Sequence, residues 1–212
     1  MKRIALTLLI LTISACAPRA SSVTAPEAQP LPTVRADPGT ASPTAGESNV
    51  DILADLPAPV CDSGLTPEQT EGPYYLAGSP EQTSLLGGSV EGERLILAGY
   101  VVNQDCFPIP NAWLDFWQAD SNGEYDLTGF SLRGHQFTDN KGRFYLETVL
   151  PGIYESRPIR HIHVKVQAPG GVILTTQLYF PEQPIQGLTV TLQQHEGFLL
   201  AIFNFVISTT LP

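Results

Sequence analysis

The chain has 212 residues and carries 11 Lys and Arg against 21 Asp and Glu, which gives a formal net charge of −10. This length suits one medium-sized domain with accessory segments, and the acidity disfavours nucleic acid as a partner because phosphates would be repelled. Charged residues make up only 15% of the chain, whereas Gly (18) and Pro (19) are plentiful. This composition favours a β-rich fold, and the lack of heptads or of a fixed repeat excludes a coiled coil or a solenoid.

The N-terminal segment has the pattern of an export signal. Two basic residues, Lys2 and Arg3, precede an apolar run of about ten residues, too short for a membrane-spanning helix of about 20. Residues 13–16 (ISAC) resemble the lipobox of bacterial lipoproteins, in which the cysteine is acylated. We therefore expect residues 1–15 to be a lipoprotein-type signal peptide, and the protein to be exported to the bacterial cell envelope and lipid-anchored to a membrane through Cys16. An ordinary signal peptide with an incidental cysteine is the alternative.

The next segment has the composition of an unstructured linker. Residues 17–49 contain no aromatic residue and are dominated by Ala, Pro, Ser, Thr and Gly. Such a stretch buries too little apolar surface to offset the entropy of ordering it. We therefore expect residues 16–52 to be the lipidated cysteine followed by a disordered tether, and residues 53–212 to be the folded domain.

Two cysteines, Cys61 and Cys106, remain once Cys16 is set aside. An exported protein enters an oxidising compartment, where an even number of cysteines favours disulfide formation. Closing a loop of this length would stabilise the fold by about 4 kcal/mol in the chain-entropy model. We expect a disulfide between them; two buried free thiols are the alternative.

The rest of the sequence reads as short strands separated by turns. The candidate strands are residues 94–102, 112–117, 143–148, 161–167, 171–180 and 198–207. Gly and Pro mark the turns between them, for example Asn122-Gly123 and Pro169-Gly170-Gly171. This pattern predicts an all-β fold, a β-sandwich of mostly antiparallel strands with long loops.

Residues 161–166 (HIHVKV) are the most informative stretch. In a strand, His161 and His163 point to the same face with Cα atoms about 6.6 Å apart, so two ring nitrogens can converge on one cation. An isolated His-x-His is nevertheless more often a pair of exposed or hydrogen-bonded histidines. The common zinc patterns fail here, because no cysteine pair lies nearby and there is no His-Glu-x-x-His helix.

Tyrosines lie near this histidine pair in the sequence. Tyr125 follows the Asn122-Gly123 turn, and Tyr154 precedes His161 by seven residues. A phenolate is a hard oxygen donor that suits ferric iron, and two phenolates with two imidazoles nearly neutralise that ion once a hydroxide joins. Ordinary packing is the alternative for any single tyrosine. That interpretation applies to most of the other five, Tyr74, Tyr75, Tyr100, Tyr145 and Tyr179.

Four segments at compatible spacings together resemble the intradiol ring-cleavage dioxygenases, and within them the exported, single-domain branch related to protocatechuate 3,4-dioxygenase. The segments are residues 66–75 (TPEQTEGPYY), 111–125 (NAWLDFWQADSNGEY), 132–152 (LRGHQFTDNKGRFYLETVLPG) and 161–166 (HIHVKV). The resemblance implies a mononuclear, non-haem Fe(III) ion held on the loops of a β-sandwich. It also implies an oxidoreductase that cleaves a catechol-type ring between its two hydroxylated carbons with O2, giving a cis,cis-muconate.

The resemblance also implies which residues form the site. The motifs place the iron ligands at Tyr125, Tyr154, His161 and His163. Tyr125 corresponds to the ligand that the substrate displaces, and Arg157 to a cation that stabilises the carbanion developing on the ring. Gln177 corresponds to a residue beside the bound substrate. The segment between Arg157 and His161 is one residue longer than in the family, so Arg160 is an alternative active-site arginine.

Two other functions remain possible from the residues alone. The domain can be a non-catalytic β-sandwich lipoprotein that serves as a binding module, or a copper or zinc protein that uses His161 and His163. As for the substrate, catechol, hydroxyquinol and protocatechuate can all chelate the metal through adjacent hydroxyls. Protocatechuate also needs a cation for its carboxylate, and only seven Lys and Arg lie beyond Arg35, which slightly favours neutral catechols. The sequence does not specify the oligomeric state.

Overall fold

The computed structural model describes residues 52–62, 64–88 and 90–209. The predicted signal peptide, Cys16 and almost all of the predicted tether lie outside the described residues. Within them, eight strands form: β1 (Arg94–Val102), β2 (Trp113–Trp117), β3 (Arg133–Phe137), β4 (Arg143–Val149), β5 (His161–Gln167), β6 (Ile173–Tyr179), β7 (Thr191–His195) and β8 (Phe198–Val206). The same part of the chain contains no helix long and apolar enough to cross a membrane.

The strands form two four-stranded sheets. Sheet I has the order β4-β1-β8-β7 and sheet II the order β3-β2-β5-β6. Every pairing between these strands is antiparallel except that of β1 with β8, which is parallel. The prediction of a mostly antiparallel β-sandwich is confirmed.

The two sheets pack their apolar faces together, and we call these the inner faces. Strand residues alternate between faces, so Leu95 and Leu97 from sheet I and Leu114, Phe116 and Ile162 from sheet II join one buried cluster. All five side chains are fully buried. Each such side chain contributes about 1.5–3 kcal/mol through its removal from water.

Strands with regular apolar alternation were predictable, and two polar strands were not. The predicted bounds of β1 and β5 match the structure, and those of β2, β4, β6 and β8 differ by one or two residues. The sequence pattern does not predict β3 (RGHQF) or β7 (TLQQH). Their side chains are mainly polar, and both lie at the edge of a sheet: β3 pairs with β2 and, through one isolated bridge, with Glu81, and β7 pairs with β8. Backbone pairing, rather than an apolar pattern, defines them.

A disulfide joins Cys61 to Cys106, whose Cα atoms lie 5.8 Å apart across a sequence separation of 45 residues. Cys106 lies in the loop after β1 and adopts a positive φ of 61°. The bridge therefore ties the chain just before the residue 66–75 motif to sheet I.

Three loops cover the outer face of sheet II, the face that points away from sheet I. The loop before β1 attaches through Tyr75, whose hydroxyl donates to Asp115 at 3.0 Å. The loop between β2 and β3 and the loop between β4 and β5 join each other, because the amide of Gly152 donates to the carbonyl of Asp120 at 2.7 Å. These loops enclose polar strand residues that would otherwise face water.

Candidate functional site

His161 and His163 lie on β5 and face outward from sheet II. Both are only 2% exposed, and their ring centroids are 4.8 Å apart. Ile162 between them belongs to the buried cluster of the inner face. The alternation expected for a strand therefore brings the two imidazoles together, as the sequence predicts.

His161 has a fixed orientation. Its Nδ1 donates to the carbonyl of Ile159 at 2.8 Å, which leaves Nε2 without a proton, 3.3 Å from the hydroxyl of Tyr125. Burial lowers the pKa of His161 to about 4. The ring is therefore neutral near pH 7, which is the form that binds a metal ion.

His163 is held by ring packing rather than by hydrogen bonds. It stacks on Trp117 with ring centroids 4.8 Å apart and planes 12° apart, and a Cβ atom on Gly72 would lie 3.3 Å from its Cε1. Burial lowers its pKa to about 2, with smaller effects from His161 and the arginines. Within the described residues its side chain makes no hydrogen bond, and its Nδ1 is buried. An unpartnered buried polar atom costs about 1–3 kcal/mol, so this ring suits a ligand that the chain itself does not supply.

Tyr125 and Tyr154 bring phenol rings to the same place. Their centroids are 6.1 Å apart, Tyr154 lies 6.1 Å from the ring of His161, and Tyr125 lies 6.3 Å from that of His163. Burial raises the pKa of both phenols above the usual value. All four rings predicted as metal ligands therefore converge, and their assignment as ligands stays a prediction.

The two loops that carry these tyrosines fit together through a glycine. A Cβ atom on Gly123 would lie 2.2 Å from the carbonyl oxygen of Ile153, and Gly123 has a φ of +89°. The carboxylate of Asp120 accepts the amides of Asn122 and Glu124, both at 2.9 Å. The Asn-Gly turn seen in the sequence thus sets the position of Tyr125 against the Tyr154 loop.

A cavity of about 330 Å³ opens at the tyrosine side of the site. Its walls include the rings of Tyr125, Tyr154 and Tyr74, the side chain of Leu127, and Glu124. None of the described residues that line it is basic. The cavity therefore has aromatic and apolar walls with one acidic group at its edge.

Arg157 and Gln177 lie together beside the histidines. Arg157 Nη2 donates to Gln177 Oε1 at 2.5 Å and to the hydroxyl of Tyr179 at 3.0 Å. On β6, Gln177 pairs with His163 and Tyr179 pairs with His161, so both partners of Arg157 share the outer face with the two histidines. Gln177 Nε2 donates to the Thr70 carbonyl at 2.7 Å, which keeps its oxygen directed at Arg157.

Arg160, the alternative active-site arginine, has other partners. It donates to the carbonyl of Pro151 at 2.5 Å and forms an ion pair with Glu182 at 3.3 Å. The geometry therefore favours Arg157 over Arg160 as the cation of the site, despite the extra residue before His161.

Sequence reasoning missed three residues of the site, Tyr74, Tyr179 and Arg133. Tyr74 stacks on Tyr125 with centroids 4.4 Å apart. Tyr179 follows Gln177 by two residues on one strand, and this spacing was a usable signal because it places both on one face. The contact of Tyr74 depends on how two loops pack, which no sequence pattern specifies.

The donor set identifies the kind of metal that fits. Among the described residues, no group of three or more His, Cys, Asp and Glu is arranged to hold a metal ion. His161 and His163 thus lack the third nitrogen, sulfur or carboxylate donor typical of zinc sites. The donors that lie beside them are phenol oxygens, and two phenolates with two imidazoles suit a hard trivalent cation such as Fe(III).

Known proteins match most of the folded part of the chain. A family model described as "Dioxygenase" matches residues 70–195, more than half of the chain. The catechol 1,2-dioxygenase of Acinetobacter baylyi is 34% identical over 148 residues, covering 56% of this chain and 47% of that protein. The protocatechuate 3,4-dioxygenase alpha chain of Burkholderia cepacia is 32% identical over 142 residues, covering 56% and 71%. The chain spans about half the length of the catechol dioxygenases that it matches.

Solved structures of dioxygenases also match this chain. The dioxygenase domain of a dioxygenase carbohydrate-binding protein fusion from Streptomyces sp. SirexAA-E is 45% identical with a TM-score of 0.66, covering 69% of this chain and 99% of that one. The 3-chlorocatechol 1,2-dioxygenase of Rhodococcus opacus 1CP is 27% identical with a TM-score of 0.61, covering 76% and 77%. The similarity therefore includes the whole of one independently solved domain.

Proposed function

The chain belongs to the intradiol ring-cleavage dioxygenase family, and from this membership we propose that it is a non-haem Fe(III) enzyme acting on a catechol-type substrate. It cleaves the ring between the two hydroxylated carbons, incorporates both atoms of O2 and releases a cis,cis-muconate. One observation carries the proposal: two buried imidazoles and two half-buried phenols meet on the outer face of sheet II, beside an open cavity.

Tyr125, Tyr154, His161 and His163 are the residues that hold the iron. When bound, the ferric ion activates the chelated diol toward O2. Both imidazoles are kept neutral by burial, which lowers the pKa of each. The hydrogen bond from His161 Nδ1 to Ile159 directs its Nε2 to the site. The chain thus supplies two imidazole donors that are already desolvated, one of them oriented by a hydrogen bond.

Tyr125 is the proton acceptor for the substrate. A catechol must lose two protons to bind as a dianion, and a basic oxygen beside it assists this step. Burial raises the pKa of Tyr125 in the metal-free chain, so its surroundings favour a proton on this oxygen. Tyr125 also lines the cavity, and its oxygen can take up one proton of the incoming diol.

Arg157 stabilises negative charge that develops on the substrate ring. Its guanidinium is fixed by Gln177 and by the hydroxyl of Tyr179. A cation that is already oriented in a water-poor site stabilises such charge more than a mobile one does. Gln177 therefore acts on the reaction by holding Arg157 in place.

The cavity favours a neutral catechol over protocatechuate. Its wall groups Tyr74, Leu127 and Tyr154 suit an aromatic ring, and Glu124 would repel a ring carboxylate. The nearby cation, Arg157, is already engaged with Gln177. We expect kcat/KM to be higher for catechol than for protocatechuate.

The test is oxygen incorporation by the iron-loaded full chain. Catechol and protocatechuate are each supplied with 18O2, and the product is analysed by mass spectrometry. The proposal requires a ring-opened diacid that carries two 18O atoms, with one O2 consumed per product and catechol preferred. Oxidation of catechol to a quinone without incorporation of 18O contradicts it.

We also propose that the protein is exported and lipid-anchored through Cys16. The ISAC segment and the basic N-terminus support this, and the disulfide between Cys61 and Cys106 is of a kind found mainly in oxidising compartments. Metabolic labelling with a radioactive fatty acid tests the anchor. The wild-type chain should take up label and Cys16→Ala should not; equal labelling of both excludes Cys16 as the lipid site.

A further inference from the structure

Arg133 is a buried cation that the proposed reaction does not use. It begins β3, pairs with Trp117 of β2, and is only 1% exposed. Within the described residues, no ion pair involves its guanidinium. Burying an unpaired charge costs several kcal/mol unless hydrogen bonds compensate it. The partners of this guanidinium therefore indicate why the fold keeps it.

The two terminal nitrogens of Arg133 bind two separate loops. Nη1 donates to the carbonyl of Tyr74 at 2.7 Å, and Nη2 donates to the carbonyl of Asp126 at 2.8 Å. Hydrogen bonds from a charged donor are roughly twice as strong as neutral ones. The planar guanidinium also fixes the relative position of its two acceptors, which a lysine cannot do.

Both residues whose carbonyls bind Arg133 are linked to Tyr125. Asp126 follows Tyr125 directly in the chain, and the ring of Tyr74 stacks on the ring of Tyr125 at 4.4 Å. The Asp126 carboxylate accepts the amides of Gly129 and Ser131, at 2.8 and 3.0 Å, so the turn after Tyr125 is itself well ordered. Arg133 thus holds Tyr125 through its backbone and through its stacking partner.

We propose that Arg133 is a positioning residue for Tyr125, which fixes the Tyr125 loop against Tyr74 and thereby sets where the Tyr125 oxygen lies relative to His161 Nε2. Arg133 acts through Tyr125 and does not bind the substrate. The inference rests on the proposed function, because Tyr125 is there both a metal ligand and the proton acceptor. A change at Arg133 should therefore alter Tyr125 as a ligand more than it alters substrate affinity.

The test compares Arg133→Lys with Arg143→Lys in the full chain loaded with Fe(III). Arg143 is a matched control, because it also donates to a backbone carbonyl, that of Leu53 at 2.8 Å, and lies on β4 of sheet I. The readouts are the tyrosinate-to-Fe(III) absorption band per bound iron, kcat, KM and the melting temperature. For Arg133→Lys we expect a shifted or weakened band and a kcat roughly 10- to 100-fold lower, with KM changed less than about threefold.

The outcomes separate this inference from the proposed function. A wild-type chain that binds iron without the band refutes the proposed function. A wild-type band that persists unchanged in folded Arg133→Lys, with normal kcat, overturns the role of Arg133 alone. If Arg133→Lys does not fold, Tyr74→Leu decides, because it removes the stacked ring and keeps the carbonyl that Arg133 binds. A shifted band in Tyr74→Leu supports the stacking contact through which Arg133 is proposed to act, and an unchanged band overturns the inference.

Discussion

The two sheets of the sandwich bury similar inner faces but very different outer faces. The buried residues on the outer face of sheet I are mainly apolar, and Ile96, Ala98 and Leu200 pack there against Leu56. The outer face of sheet II instead buries polar and charged side chains, among them Asp115, Arg133, His161, His163 and Gln177. An apolar face is stabilised simply by being covered, whereas a polar face must have a partner for each group.

Most of the polar groups on sheet II have such partners. Asp115, whose pKa is raised by burial, accepts the hydroxyls of Ser79 and Tyr75 at 2.7 and 3.0 Å. Gln177 is bonded at both its oxygen and its nitrogen. Within the described residues, the exceptions on this sheet are Nδ1 of His163, Nε1 of Trp117, Nε of Arg133 and Nε2 of Gln136. Sheet II therefore buries more polar side chains than sheet I, some of them without a partner, and the following changes test this difference.

Removal of a tyrosine hydroxyl at the site over sheet II should have the largest effect on function. Removal of a tyrosine hydroxyl on sheet I should have little effect. Tyr154→Phe removes a ligand oxygen, so we expect iron affinity and kcat/KM to fall by more than the roughly 10- to 100-fold typical of outer-shell changes. Tyr145→Phe on sheet I is the control, because its buried hydroxyl has no partner among the described residues. Iron content and turnover are measured for both. Equal losses in the two variants contradict the assignment of Tyr154.

Shortening an apolar side chain on the inner face should lower stability by similar amounts in the two sheets. Leu97 and Leu114 are fully buried in the same cluster. Leu97→Ala and Leu114→Ala should each lower the free energy of unfolding by about 2–5 kcal/mol, measured by urea denaturation. Iron bound per folded chain should not change. A selective loss of iron in Leu114→Ala but not in Leu97→Ala means that the inner face also shapes the site.

Removal of the disulfide should lower stability without changing the site. The bridge closes a sequence separation of 45 residues, and the chain-entropy model assigns about 4 kcal/mol to a loop of this size. The Cys61→Ser, Cys106→Ser double variant should lose up to that amount and keep its iron spectrum. An altered spectrum means that the bridge also orders the loop over sheet II.

Lowering the pH should destabilise the iron-free chain, because His161 of sheet II is buried in its neutral form. Burial lowers the pKa of His161 from 6.5 to about 4, so below pH 6.5 the unfolded state binds a proton that the folded state does not. The stability from this group is complete above pH 6.5 and declines as the pH falls toward 4, by at most about 3 kcal/mol. His161→Gln should flatten this decline relative to wild type. His195→Gln, at an exposed position on β7, should leave it unchanged.

The sequence specified those parts of the fold and site that depend on local pattern. Alternation placed His161 and His163 on one face and Ile162 on the other, and the Asn-Gly turn located Tyr125. By contrast, β3 and β7 have no apolar pattern that would predict them. These two strands are recognised only by their backbone pairing with β2 and β8. Arg133 contacts Tyr74, which is 59 residues away in the chain, and Asp126, which lies seven residues before it. These contacts depend on loop packing, which no local signal encodes.

The most direct test is the visible absorption spectrum of the full chain reconstituted with Fe(III), with and without catechol under anaerobic conditions. If Tyr125, Tyr154, His161 and His163 hold the iron, a tyrosinate-to-Fe(III) charge-transfer band appears in proportion to bound iron. That band changes on addition of catechol and is weakened or lost in Tyr154→Phe. A chain that binds iron without such a band, or with a band that Tyr154→Phe leaves intact, contradicts the four-residue site on sheet II.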